Sequence, residues 1–285
     1  MAERLYLEDD TVTTFEATVE RTLGDRVVLD RTHFYPTGGG QPHDTGTLRV
    51  VDNRTGGVGV SDDGGMTDTG GRRWRVVDVE KSDTVYHTVE PIADAADSVG
   101  GHEEAIGLPA PGTNVVCEID VERRRAHARY HTAQHLLSAL LLEAFGARTT
   151  GNQLYADHAH LDAAYDRFDD EELSFIERRL NELVADARPV ESDTMDRETA
   201  EATLDADRTR IDLLPSSITE LRIVEIAGES PDDEPYDRTA CAGTHVGNTA
   251  DVGEIVITGR ETKGADEERI RFVLGDHANG NGADA

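Results

Sequence analysis

Lysine is almost absent from this 285-residue chain. Lys81 and Lys263 are the only two among 28 basic residues, which face 58 acidic ones for a formal net charge of −30. Cysteine is as scarce, with Cys117 and Cys241 alone. Two thiols make one disulfide at most, which excludes a disulfide-stapled scaffold and leaves each cysteine to be judged as a thiol. Aromatic residues make up 5% of the chain. No stretch approaches the roughly 20 apolar residues that cross a bilayer, and the start, MAERLYLEDD, lacks the basic-then-apolar order of a secretion signal. The expectation is a soluble, cytoplasmic protein with no membrane partner.

The chain is nevertheless 37% hydrophobic, in clearly periodic segments, so the acidic excess coats a folded surface and is not a disordered tail. Such a surface repels itself until salt screens it, and the Debye length falls to about 3 Å near 1 M. Composition therefore points to an extreme halophile. Acidity also argues against a nucleic-acid partner, because phosphate affinity normally comes from Lys and Arg. Molar salt weakens that objection, since counterion release is lost and binding must lean on shape, stacking and local arginines. Arginines do cluster, at Arg72, Arg73 and Arg75, at Arg123, Arg124, Arg125 and Arg129, and at Arg269 and Arg271. Each cluster either meets phosphates or pairs with the abundant acids.

Length suggests two domains. Residues 11–90 hold VTTFEATVERT, DRVVLD, DTGTLRVVD, RRWRVVDVE and TVYHTVE, short partly alternating runs separated by Gly and Asp-rich turns. They read as a small antiparallel barrel or sandwich, to which NVVCEIDVE adds a strand after a polar connection, DAADSVGGHEEAIGLPAPG. At Arg123 the period changes. RRRAHARYHTAQHLLSALLLEAFG carries helical spacing up to a stop at Gly146, and DDEELSFIERRLNELVADARP is a second amphipathic helix with acids at its start. A shorter helix is expected around DRETAEATLD, then strands at LRIVEIAG, VGEIVITG and RIRFVLG. The Gly and Asn-rich end, from Asp276, reads as disordered.

Three features carry chemistry. On a helix, residues four apart share a face, so His131 and His135 can aim their imidazoles at one atom, with His127 one turn earlier. The second feature is CAGTH, whose Cys241 and His245 would complete a tetrahedral set of three nitrogens and one sulfur, which Zn²⁺ favours. Cys241 alone could equally be a small buried thiol. His158 and His160 form a competing pair, read as a surface pair in acidic, loop-like sequence. Cys117 reads as core, and His33, His43, His87, His102 and His277 lack partners at useful spacing. The third feature is FYPTGGGQPHDTG. Gly38, Gly39 and Gly40 permit backbone angles and close approach that other residues forbid, framed by Phe34, Tyr35 and Gln41. It is no phosphate loop, because no Lys-Ser/Thr follows and no helix opens there.

Taken in order, TGGGQPHDTG, EIDVERR leading into HTAQHLL, CAGTHV and GEIVITGRETKGADEERIRFVLG resemble the free-standing alanyl-tRNA editing proteins of the AlaX type, relatives of the editing domain of alanyl-tRNA synthetase. Threonyl-tRNA synthetase editing domains share the two-part zinc arrangement. The resemblance implies an α+β protein: an N-terminal small antiparallel β-barrel with the Gly-rich motif over 1–121, an α/β zinc-binding editing domain over 122–277, and a disordered tail over 278–285. It implies hydrolysis in trans of the ester joining serine, or glycine, to tRNA(Ala), without ATP, and with Zn²⁺ on His131, His135, Cys241 and His245. Gly38, Gly39, Gly40 and Gln41 are implied in substrate selection. Polar groups to satisfy a serine hydroxyl are expected among Thr149, Thr150, Asn152 and Gln153. Four protein ligands leave zinc no open position, so one is expected to be weak, and His245 is the choice. The alternatives are a zinc hydrolase of another ester or amide, weakened by the absence of an HExxH glutamate, and a non-catalytic tRNA-binding module with structural zinc.

Overall fold

Alternating apolar residues between 14 and 119 pair into a closed antiparallel barrel in the computed structural model of the chain, which describes residues 1–51, 72–92, 107–209, 211–230 and 232–278. Its strands are β1 (Thr14–Leu23), β2 (Arg26–Leu29), β3 (Gly46–Val50), β4 (Arg73–Lys81), β5 (Val85–Ile92) and β6 (Asn114–Ile119). They close in the order β1-β2-β5-β4-β3-β6, which resolves barrel against sandwich. Closure leaves no edge strand for another chain to pair with. One face of each strand fills the interior: Val19, Val27, Leu48, Trp74, Val76 and Val115 are all buried. On β4 the register slips between Val76 and Asp78, so the inward position passes from Val76 to Val79 and the plain two-residue alternation breaks there. Cys117 lies wholly inside, where burial pushes its thiol up. The connection ahead of β6 falls largely outside the described residues, as does His102.

The chain divides into two compact units, Met1–Thr37 with His43–Arg123, and Gly38–Pro42 with Arg124–Ala285. Gly38–Pro42 thus count with the second unit although they lie between barrel strands in sequence. Helix α1 (Val121–Phe145) lies in that unit from Arg124 on. Every residue from Tyr130 to Leu141 is buried, so the helix is covered all round over three turns and its apolar stripe is interrupted by buried polar side chains. Gly146, at φ +62, ends it, and the amide of Ala147 turns back to the carbonyl of Leu141. Two strands follow, β7 (Thr149–Leu154) and β8 (Ala159–Ala163), then α2 (Asp170–Ala185), β9 (Val190–Asp196), α3 (Arg197–Thr203), β10 (Glu220–Ile226), β11 (Asp237–Ala240), β12 (Ile255–Thr262), β13 (Glu268–Leu274) and a last turn, α4 (Gly275–Ala278). Asp169 and Glu172 form a capping box at the start of α2, and Ile176, Leu180 and Leu183 face its core. The strands make a four-stranded sheet, β12-β13-β8-β7, and a three-stranded one, β9-β10-β11.

Two expectations need correction. The stretch holding His160 is strand β8, not loop: His160 and Asp162 alternate with buried Ala159, Leu161 and Ala163, and Asp162 is held by Arg269 at 2.7 and 2.8 Å. The start of the tail is ordered, because Arg129 grips Asp276 with both terminal nitrogens (2.7 and 3.1 Å) and Tyr130 stacks on His277. Residues 279–285 lie outside the described residues.

Candidate metal centre

Helix α1 presents His131 and His135 one turn apart, and the loop leaving β11 carries Cys241 and His245 up to them. One donor atom from each of the four lies within 4.8 Å of all the others. The Cys241 sulfur stands 3.5 Å from Nε2 of His131 and 3.4 Å from Nε2 of His245. The imidazole centroids are 4.5 to 5.2 Å apart. Among the described residues this is the only such gathering of His, Cys, Asp and Glu. His127 is buried on the same helix but does not join it, and neither do His158 and His160.

What aims the rings is on their other side. His131 places Nδ1 at 2.8 Å from Oε1 of Gln41, an oxygen that also accepts the amide of Thr244 at 3.0 Å. A carboxamide oxygen only accepts, so His131 carries its proton on Nδ1 and turns Nε2 to the sulfur. His135 donates Nδ1–H to Oδ2 of Asp237 at 2.8 Å. The Thr132 hydroxyl donates to Ala128 O (2.9 Å) and therefore faces Nδ1 of His245, at 3.1 Å, as an acceptor. All three rings thus hold Nδ1 outward on an oxygen and leave Nε2 for the common centre. This is how metal-binding imidazoles are held.

The loop Cys241–His245 is fixed from beneath by Arg222, which donates to the carbonyls of Cys241 (3.2 Å) and Gly243 (2.8 Å). Gly243 is required: a Cβ there would lie 2.0 Å from Cε1 of His131 and 2.2 Å from its Nδ1. Burial alone would raise the Cys241 thiol, but its contacts with His131, His245 and His135 bring it well below its ordinary value. His135 resists burial through its bonds to Asp237 and Cys241 and is raised to about 9. His245, buried and beside two imidazoles, is lowered to about 3. A thiolate with three imidazoles offering Nε2 is the donor chemistry of a borderline-soft, tetrahedral cation, so the residues fit Zn²⁺.

The glycine run is a two-residue turn. Gly38 and Gln41 exchange backbone hydrogen bonds (3.0 and 2.9 Å) across Gly39 and Gly40, both left-handed at φ +59 and +80. The carbonyl of Gly40 accepts from Leu154 N at 2.9 Å, and that of Gly39 from Nδ2 of Asn152 at 3.2 Å. A Cβ on Gly40 would stand 2.7 Å from Asn152. Gln41 itself is wholly buried on His131 and Thr244. Of the other expected polar groups, Thr149 meets Ser138 at 2.5 Å, Thr150 meets Glu267 at 2.5 Å, and Gln153 donates to the carbonyl of Leu154. In the arginine clusters, Arg129, Arg269 and Arg271 are paired with Asp276, Asp162 and Glu261.

Sequence reasoning passed over Thr132, Asp237, Thr244 and Arg222. Asp237 had a signal: it stands four residues before Cys241 in an extended run, and a metal-bound histidine ordinarily has a carboxylate or carbonyl behind it. Thr132 lies between the two histidines of HTAQH. Arg222 had none, because its role rests on the pairing of β10 with β11.

Residues 221–271 match the threonyl and alanyl tRNA synthetase second additional domain. That range contains Cys241 and His245, while His131 and His135 precede it. The chain is 34% identical over 277 residues to the alanyl-tRNA editing protein AlaX-M of Methanosarcina barkeri, covering 97% of this chain and 100% of that one. It is 34% identical over 282 residues to AlaX-M of Methanosarcina mazei, covering 98% and 99%. It is also 35% identical over 278 residues to the alanine–tRNA ligase of Pyrococcus abyssi, covering 96% of this chain and 26% of the ligase. On this near full-length identity, the chain belongs to the AlaX family of alanyl-tRNA editing proteins.

Proposed function

We propose that this chain is an aminoacyl-tRNA deacylase that acts in trans, in the cytoplasm, on tRNA(Ala) mischarged with serine or glycine. Its relatives are named alanyl-tRNA editing proteins, and ester hydrolysis needs no ATP. Residues 122–277 form the editing domain and 1–121 the barrel domain in this reading. The observation that carries it is the convergence of His131, His135, Cys241 and His245 with every outer imidazole nitrogen tied to an oxygen. These four residues hold Zn²⁺, which when bound supplies a Lewis acid that orients or polarises an oxygen or nitrogen of the substrate. His245 is the donor most easily given up: a neutral hydroxyl holds it at 3.1 Å, where a carboxylate holds His135 at 2.8 Å.

Choosing serine over alanine requires polar groups that the serine hydroxyl satisfies and a methyl leaves unpaired. Thr149, Thr150, Asn152 and Gln153 on β7 supply candidates, and the turn Gly38–Gln41 selects substrate from its place beside His131 and Asn152. Deacylation of Ser-, Gly- and Ala-tRNA(Ala) side by side in molar KCl, with and without a chelator, tests reaction, specificity and metal together. Serine released fastest and chelator-sensitively is expected. Four convergent protein donors also suit a closed, structural zinc in a tRNA-binding module. A zinc-loaded chain that binds tRNA yet leaves Ser-tRNA(Ala) at its spontaneous rate would establish that second reading.

A further inference from the structure

Behind His135 a line of buried polar groups runs on past Asp237. The Asp237 side chain is 1% exposed and its two oxygens are divided: Oδ2 takes Nδ1–H of His135, and Oδ1 takes Nε of Arg208 at 3.0 Å and Nη2 of the same guanidinium. The remaining terminal nitrogen of Arg208, Nη1, donates to the hydroxyl of Ser138, which meets Thr149. Ser138 lies three residues beyond His135 on α1, hence on the same face of the helix. One planar guanidinium, its side chain 12% exposed, therefore grips the carboxylate from β11 and the hydroxyl from α1 at once.

The backbone of Arg208 is equally tied. Its carbonyl accepts from the Thr239 hydroxyl at 3.4 Å, the hydroxyls of Thr209 and Thr239 meet, and Ala240 N donates to Thr209 at 3.3 Å. The turn is stitched along the strand that leads directly into Cys241. A separate residue anchors 211–218. Arg197 pairs with Glu201 and donates to the carbonyls of Ile211, Pro215 and Ile218. The Arg208 fork is thus free of that task and is given over to Asp237 and Ser138.

We propose that Arg208 is a positioning residue of the metal centre: by fixing Oδ1 of Asp237 it sets Oδ2, and so the ring orientation of His135. The proposal rests on the reading that His135 is one of four zinc ligands. A buried carboxylate with a single partner is free to rotate toward any other donor, and its histidine follows. Lysine cannot replace the fork, because a point charge does not meet a carboxylate and a hydroxyl in one plane. Loss of such an outer partner ordinarily weakens metal affinity by about 10–100-fold.

The test measures zinc affinity by chelator competition on folded wild type, Arg208→Gln, Arg208→Lys, Asp237→Asn, Arg197→Gln and the double variant Arg208→Gln/Asp237→Asn. Arg208→Gln is expected to bind zinc about 10–100-fold more weakly, with Arg208→Lys between it and wild type. Arg197→Gln lowers the melting temperature and leaves zinc affinity unchanged. Because Arg208 acts through Asp237, the double variant is no weaker than Asp237→Asn alone. Wild-type affinity in Arg208→Gln, or losses that add in full in the double variant, overturns the proposal. If Arg208→Gln does not fold, the same cycle with Arg208→Lys decides it on the same two outcomes. A wild-type chain that takes up no zinc overturns the metal reading itself, whereas intact wild-type binding and deacylation beside an indifferent Arg208→Gln overturns only the role of Arg208.

Discussion

Replacing Gly243 by alanine tests the metal centre at its tightest point. The new methyl would lie 2.0 Å from Cε1 and 2.2 Å from Nδ1 of His131, and 2.9 Å from Oε1 of Gln41. Carbon atoms in contact settle at about 3.5–4.0 Å, so the imidazole must retreat by about 1.5 Å. It is no loose end that can swing aside: its Nδ1 is bonded to a Gln41 that is itself wholly buried. Metal–ligand bonds tolerate deviations of only about 0.2 Å, so His131 cannot yield and remain a ligand. We expect Gly243→Ala to fold, at an overpacking cost of about 1–3 kcal/mol, and to lose zinc affinity by at least the 10–100-fold typical of a misplaced ligand. The control is Gly247→Ala, four residues on, where a Cβ meets nothing within 4 Å. Chelator competition together with melting curves, with and without zinc, reads both effects. A Gly243→Ala protein that binds zinc like Gly247→Ala would refute the assignment of His131.

Further outcomes follow from the same structure. With a net charge of −30, the melting temperature should climb as KCl rises from millimolar to molar, and a fall over that range would refute the halophilic reading. His87, sealed in the barrel, donates Nδ1–H to Val27 O at 3.2 Å and accepts from Thr32 at 2.9 Å, and burial lowers it to about 4 from 6.5. The unfolded chain therefore takes up a proton that the folded barrel refuses. Its contribution is complete above pH 6.5 and is lost as pH falls toward 4, about 3 kcal/mol in all and about 2 by pH 5. Urea melts of wild type and His87→Gln at pH 7 and 5 should show the wild type losing more, and parallel losses would contradict the assignment.

How much of this could be read beforehand differs between the two halves of the chain. Barrel strands announce themselves because each has one wet and one dry face, so Val27, Leu48, Trp74 and Val115 mark them directly. Strands β7 and β9 do not. TTGNQL is polar and contains a glycine, and most of VESDTMD is exposed, so their pairing rests on backbone hydrogen bonds that no side-chain period records. The four clustered donors were legible because spacing on a helix and within a five-residue loop is local. Their outer partners were not. Gln41 is 90 residues from His131, Asp237 is 102 from His135, and Thr132 is 113 from His245. The arginine clusters do not answer the composition-based objection to a nucleic-acid partner: Arg129, Arg269 and Arg271 are spent on the chain's own acids, so clustering of arginines in sequence was no guide to a phosphate surface.

The Gly-rich turn remains the place where sequence and geometry pull hardest on each other, and one substitution separates their claims. A glutamine side chain has two acceptor and two donor positions. Gln41 uses both acceptors, on His131 and the Thr244 amide, and one donor, on the Thr244 hydroxyl. The turn's carbonyls are similarly engaged, by Gln41, Asn152 and Leu154. Little is left over to grip a serine hydroxyl directly, so Gln41 influences substrate through the ring it holds. Gln41→Ala should then weaken zinc binding by about 10–100-fold and, once zinc is restored by excess, slow release of serine and glycine from tRNA(Ala) in similar proportion. Direct selection makes the opposite demand: zinc affinity stays at the wild-type value, and the ratio of Ser- to Ala-tRNA(Ala) deacylation collapses, because a polar contact to the hydroxyl has gone. Side-by-side measurement of that ratio and of chelator competition on the one variant decides which holds.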